Sequence, residues 1–170
     1  MLRTELAPSA SRFLEAAEQF KVGFEPNALS AAPQRHIVVV ACMDARLDLF
    51  RLLGLEIGDA HILRNAGGRV TDDVIRSLLL SSHALGTREV VVIHHTGCGL
   101  LGATNDGLRA RVHDATGHRA DHIDFLPIED VKESVRQDVD AVLRCELLPH
   151  DMVAWGCVYD VEDGSLTRVV

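Results

Sequence analysis

Five side chains in two short stretches could do chemistry together. ACMDAR (41–46) carries Cys42, Asp44 and Arg46 at alternate positions, and HHTGCG (94–99) carries His95 and Cys98 in an H-x-x-C spacing. Two thiolates and one imidazole make a Cys2His donor set, the arrangement of a catalytic zinc site with its fourth position open. A structural zinc site would want a fourth Cys or His nearby, and the remaining cysteines, Cys145 and Cys157, lack the spacing for it. The second stretch admits a rival reading. Gly97, Gly99 and Gly102 spell G-x-G-x-x-G after the apolar run EVVVI, the pattern of a loop that cradles a dinucleotide pyrophosphate. That reading needs a further buried strand about 20 residues on, ending in an acid for the ribose. Asp121, Asp124 and Glu129 follow, but HIDFLPI is a poor strand and Pro127 weakens it. The plainest alternative makes Cys42 and Cys98 small buried hydrophobes. It leaves Asp44 and Arg46 unexplained, because a pure core excludes charges.

The elements that must position these residues follow from periodicity. HIVVVACM (36–43) and REVVVIHH (88–95) are β-branched runs of the kind buried on both faces of a parallel sheet, and AHILRN (60–65) is a shorter strand. Helices are predicted over 9–22, 47–54, 71–86, about 104–116 and 129–148, the third capped by Thr71 or Asp72 and stopped at Gly86. GFEPNALSAAPQ (23–34) is a connector, and 117–128 is a loop or a loop with a short strand. DMVAWGCVYDV and SLTRVV, joined across Asp163-Gly164, read as a terminal hairpin. Alternating strands and helices predict an α/β fold with a mainly parallel central sheet flanked by helices. In such sheets ligands bind beyond the carboxyl ends of the strands. ACMDAR, RNAGG and HHTGCG all fall there. Adjacent strand residues face opposite ways, so only one of His94 and His95 can face the metal. The H-x-x-C spacing selects His95 and leaves His94 packed or hydrogen-bonded.

Bulk properties set the class. At 170 residues the chain reads as one domain, with 1–34 an N-terminal helical arm and linker and 35–170 the catalytic α/β core. A formal charge of −8 with scattered Lys and Arg argues against nucleic acid as a partner. No stretch approaches the ~20 apolar residues of a membrane span. The N-terminus shows no apolar signal core, and four widely separated cysteines suit a reducing compartment, so a cytoplasmic location is expected.

C-x-D-x-R at 42–46, RNAG at 64–67 and H-x-x-C-G at 95–99, in that order, resemble a β-class carbonic anhydrase of the small actinobacterial type. The terminal GCVYDVEDGSL is similar to that family's last hairpin. The resemblance implies one Zn2+ per chain on Cys42, His95 and Cys98. A hydroxide in the fourth position would hydrate carbon dioxide reversibly to bicarbonate and a proton. It implies two states for Asp44: paired with Arg46, where both act in catalysis, or released onto the metal as a fourth ligand that shuts the site. Asn65, Ala66, Gly67 and Gly68 would line the substrate pocket. It further implies a homodimer or dimer of dimers, with the helical arm laid across the partner. The Phe13/Leu14/Phe20 stripe fits such an arm, though packing on its own subunit would also bury it. Bicarbonate-regulated relatives carry a tryptophan three residues before the first ligand cysteine. Val39 stands there, and the single tryptophan is Trp155.

Two other functions fit the same residues. One is hydrolysis of carbonyl sulfide or carbon disulfide at the same zinc. The other is a non-catalytic zinc-binding or interaction protein, for which Asp44 and Arg46 would have no use.

Overall fold

β-Branched runs build the sheet where their patterning predicts it. In the structure, a computed structural model that describes residues 9–24 and 29–170, the strands are β1 (Ile37–Cys42), β2 (Ala60–Asn65), β3 (Glu89–His95), β4 (Val153–Tyr159) and β5 (Leu166–Arg168). The helices are α1 (Ala10–Val22), α2 (Leu49–Leu53), α3 (Asp72–Leu85), α4 (Asn105–Thr116) and α5 (Val131–Leu143). Residues 1–8 of the expected arm and 25–28 of its connector lie outside the described residues.

The sheet order is β2-β1-β3-β4-β5, parallel throughout except for β5, which closes the hairpin antiparallel to β4. β1 and β3 are neighbours whose onward connections leave in opposite directions, β1 towards β2 and β3 towards β4. That divergence opens a crevice at their carboxyl ends, where open α/β sheets place ligands. Both ligand-bearing stretches end there.

Each face of the sheet carries its own apolar cluster. Val38, Val40, Val90 and Val92 pack under α3 and α5 with Leu78, Val135 and Val139. Val39, Ala41, Val91 and Ile93 face the other way with Leu47, Leu49, Leu100 and Ile128, and Cys42 and Cys98 join this second cluster. Alternation along β3 thus sends His94 and His95 to opposite sides, both fully buried.

α3 starts where its cap predicts: the Thr71 hydroxyl accepts from the Val74 amide, and Gly86 ends the helix in the left-handed region. α5 is shorter than the predicted 129–148. The Asp130 carboxylate caps it by accepting from the Glu133 amide. At its other end, tight turns from Cys145 to Val142 and from Leu148 to Cys145 replace the helical ladder ahead of Pro149. Leu148 precedes Pro149 and is disfavoured in the helical region, which rules out a helix running through 148. Residues 117–128 form a loop whose one ladder contact is an isolated bridge between Leu101 and Ile128. The acidic second strand that a dinucleotide site requires about 20 residues on is therefore missing among the described residues. α1 has no buried residue.

Candidate active site

β1 delivers Cys42 as its last residue, and the chain then turns sharply. Alternation would have kept Asp44 and Arg46 on an extended strand, but a turn displays them instead. The Asp44 carboxylate accepts from the Arg46 amide at 2.9 Å, and the Leu47 amide closes back on the Asp44 carbonyl at 3.1 Å. Short Asx side chains compete with the ladder in this way. Leu47 buries itself beneath the turn, and Arg64 of β2 pins it from the side. Its Nε donates to the Cys42 carbonyl at 2.9 Å, and its Nη2 to the Asp44 carbonyl at 2.6 Å. The sequence placed Arg64 at a strand end and in the RNAG motif, without this role.

β3 delivers His95 at its end, and the following turn brings Cys98 beside it. The ligand atoms of Cys42, His95 and Cys98 all lie within 4.8 Å of one another, and all three residues are buried. His95 Nδ1 is fixed on the Thr96 carbonyl at 2.8 Å, which turns Nε2 inward. Nε2 is buried without a hydrogen-bond partner of good geometry among the described residues. An unsatisfied buried nitrogen costs about 1–3 kcal/mol. A borderline-soft cation such as Zn2+ would take that lone pair together with both sulfurs, so the donor set fits it.

The charges fit as well. Cys42 is lowered to about 4, chiefly by the Cys98 thiol beside it. Cys98 is pushed up by the Cys42 sulfur, and burial adds to the rise. Burial alone would pull the His95 imidazole down, but the Cys42 sulfur and the Thr96 carbonyl outweigh it and leave it raised. The site is thus poised to hold a positive charge.

Asp44 and Arg46 meet at the rim. Arg46 Nε and Nη2 donate to the two Asp44 oxygens at 2.9 and 2.8 Å, and Nη2 also reaches the Gly97 carbonyl at 3.0 Å. These bonds hold the Asp44 carboxyl well below the usual carboxylate range. Asp44 Oδ2 lies 3.8 Å from His95 Nε2, beside the ligand cluster and not in it.

Asn65, Ala66, Gly67 and Gly68 form a 3-10 turn leaving β2, with Gly67 and Gly68 at φ +77° and +70°. A Cβ on Gly68 would fall 2.8 Å from the Cys42 nitrogen, so this turn lies flat on the strand ends that carry the ligands. The Asn65 amide nitrogen donates to the Arg69 carbonyl at 2.8 Å. A cavity of about 320 Å³ is lined in part by Asn65 and Ala66 and by none of the three ligands.

His94 does not join the metal cluster. Its Nδ1 meets Ser134 Oγ at 2.7 Å, and its Nε2 faces both the Gly68 carbonyl at 3.2 Å and Asp138 at 3.1 Å. Asp138 in turn pairs with Arg69 at 2.8 Å. Sequence reasoning missed this buried group, since no local spacing links positions 69, 94, 134 and 138.

Comparison with known proteins bears on this geometry. Residues 37–142 match the carbonic anhydrase family. The chain is 45% identical to beta-carbonic anhydrase 1 of Mycobacterium tuberculosis over 148 residues, 83% of this chain and 86% of the relative. It is 35% identical to a carbon disulfide hydrolase of Acidithiobacillus thiooxidans over 156 residues, 78% of this chain and 71% of the relative. The crystal structure of a carbonic anhydrase from Streptococcus mutans superposes with a TM-score of 0.91 at 41% identity, covering 98% of this chain and 100% of that one.

Proposed function

The chain belongs to the carbonic anhydrase family, in its β class, and from that premise we propose that it interconverts carbon dioxide and bicarbonate at Cys42, His95 and Cys98. It is a zinc-dependent carbonate dehydratase. The observation that carries the reading is the buried cluster of two sulfurs and an unpartnered imidazole nitrogen where β1 and β3 diverge. A zinc ion held there supplies a Lewis acid that brings the pKa of a coordinated water towards neutrality.

The chain's own residues do the rest. The Asp44 carboxylate, fixed by both arms of Arg46, accepts a hydrogen bond from the attacking water and orients it towards carbon. Arg46, tied also to the Gly97 carbonyl, keeps that carboxylate off the ligand cluster. Released from Arg46, Asp44 is near enough to become the fourth ligand, which closes the site. Asn65, Ala66, Gly67 and Gly68 form the wall against which the small substrate rests; glycine admits it where a side chain would fill the space. α1, with Phe13 71% exposed and Leu14 and Phe20 each 61% exposed, is the arm that a second copy of the chain covers in a homodimer. The core of 35–170 and the arm of 1–34 form one functional unit. Carbon dioxide and bicarbonate are its partners in solution. Four free cysteines fit work in the reducing cytoplasm. Among the described residues, no helix is long and apolar enough to cross a membrane.

The carbon disulfide hydrolase relatives favour a second reading, in which the same site hydrolyses carbon disulfide or carbonyl sulfide. One preparation assayed on all three substrates, with its zinc content measured, separates the readings. Stopped-flow hydration of carbon dioxide with one zinc per chain is the expected result. One zinc per chain with no hydration at alkaline pH overturns it.

A further inference from the structure

The buried group behind the substrate wall has no part in the reaction described so far. His94, Ser134 and Asp138 are almost completely buried, and the Arg69 side chain is 11% exposed. An aspartate taken out of water is costly unless it is paired and hydrogen-bonded, so its retention calls for a reason.

Its connections supply one. Asp138 stands on α5, and among the described residues its carboxylate pairs with Arg69 and His94. Its Oδ2 receives Arg69 Nε at 2.8 Å and faces His94 Nε2 at 3.1 Å, while Oδ1 receives Arg69 Nη2 at 3.4 Å. Both partners lead to the turn of residues 65–69. His94 Nε2 faces two acceptors, Asp138 and the Gly68 carbonyl, so Nε2 carries a proton and donates to the turn. Arg69 is the turn's last residue, and its carbonyl holds the Asn65 side chain. Arg69 Nη1 also donates to the Leu126 carbonyl at 3.1 Å, which ties the 117–128 loop to the same point. At the other end, the turn lies against a metal ligand: a Cβ on Gly68 would fall 2.8 Å from the Cys42 nitrogen. A path of hydrogen bonds, backbone and close packing therefore runs from α5 to Cys42.

We infer that Asp138 is a positioning residue for the active site: through Arg69 and His94 it clamps the 65–69 turn so that Gly68 stays against the Cys42 backbone and the substrate wall keeps its place. The inference rests on the zinc reading above. Partners that orient metal ligands from outside commonly change metal affinity or activity 10–100-fold when removed.

The test compares full-length wild type with Asp138→Asn and Arg69→Lys. Asp138→Asn keeps the shape and removes the charge that both partners need. Arg69→Lys keeps a cation but loses the fork that reaches Asp138 and Leu126 together. Four readouts are taken: zinc loss to a chelator, the thiolate-to-metal absorption of the cobalt(II) form, kcat and KM for carbon dioxide hydration, and the thermal midpoint. In Asp138→Asn we expect zinc to be lost about 10–100-fold faster, with an altered cobalt spectrum and a lower kcat, in a folded chain. Arg69→Lys shifts the same readouts in the same direction by less, and it decides the matter if Asp138→Asn does not fold. A folded variant with wild-type zinc retention, cobalt spectrum and kcat overturns the inference, even where its midpoint falls, because a purely structural network would move the midpoint alone. A wild-type chain that takes up no zinc overturns the site reading and this inference with it.

Discussion

Replacing Gly68 by alanine tests whether the turn of residues 65–68 rests on the strand ends. A Cβ there would fall 2.8 Å from the Cys42 nitrogen, 2.9 Å from the Ala41 carbonyl carbon and 3.1 Å from the Ile93 oxygen. All three are backbone atoms of packed central strands, so no side chain can rotate aside. The backbone at φ +70° adds a conformational cost of about 1–2 kcal/mol for any residue with a Cβ. Overpacking adds about 1–3 kcal/mol, for a sum of about 2–5 kcal/mol. For a chain of 170 residues each kcal/mol lowers the thermal midpoint by about 2–4 °C. The expected fall is therefore ~4–20 °C. Gly102 has a similar φ of +73° with nothing within 4 Å of a Cβ, so Gly102→Ala carries the conformational cost alone, about 2–8 °C. Gly99 has neither a positive φ nor a close neighbour, and Gly99→Ala should leave the midpoint unchanged. Circular dichroism melts of the zinc-loaded proteins at one concentration, with zinc content measured in parallel, make the comparison. Because the crowded atom belongs to Cys42, Gly68→Ala should also lose zinc while Gly102→Ala keeps it. Equal midpoints and equal zinc in these two variants would refute the close approach.

At a pH low enough that His95 is charged and a coordinated water keeps its proton, zinc uptake by the metal-free chain should release about two protons, one from His95 and one from Cys98. Cys42, lowered to about 4, contributes none there, so calorimetry at that pH in buffers of different ionisation enthalpy that returns three would contradict the thiolate assignment. Asp44→Asn should cut carbon dioxide hydration about 100-fold or more if the carboxylate orients the attacking water, with zinc retained; a stopped-flow rate within twofold of wild type would exclude that role. The Asp44 carboxyl is depressed, so its ionised contribution is complete above the usual carboxylate range and fades only as pH falls well below it. Arg46→Ala removes the main cause of that depression, so the acid limb of activity should move to higher pH. An unshifted acid limb would count against the pairing. Charge on the exposed stripe of α1, as in Phe13→Glu with Phe20→Glu, should convert a dimer to monomers in analytical ultracentrifugation, and an unchanged mass would remove α1 from the interface.

How much was legible beforehand depended on how local the signal was. The strands were readable because β-branched runs declare themselves within a few residues, and α3 because Thr71 and Gly86 act on their own helix. The end of α5 was not, since its apolar stripe continued to Cys145 while the turn before Pro149 broke the ladder. The metal cluster could be read because residue types and short spacings, Cys42 on one strand and H-x-x-C on another, carry its chemistry directly. By itself the sequence determined which atoms are available for chemistry and which strand ends bear them. Only the tertiary structure decided that Asp44 is held by a turn and the Arg46 fork instead of an extended strand, and that Arg64 pins that turn. It alone also brought Arg69, His94 and Asp138 together behind the turn of residues 65–68. The physical reason is range: a cap or an alternation acts over a few positions. A buried ion pair between residues 69 positions apart has no local signature until the sheet and α5 have packed.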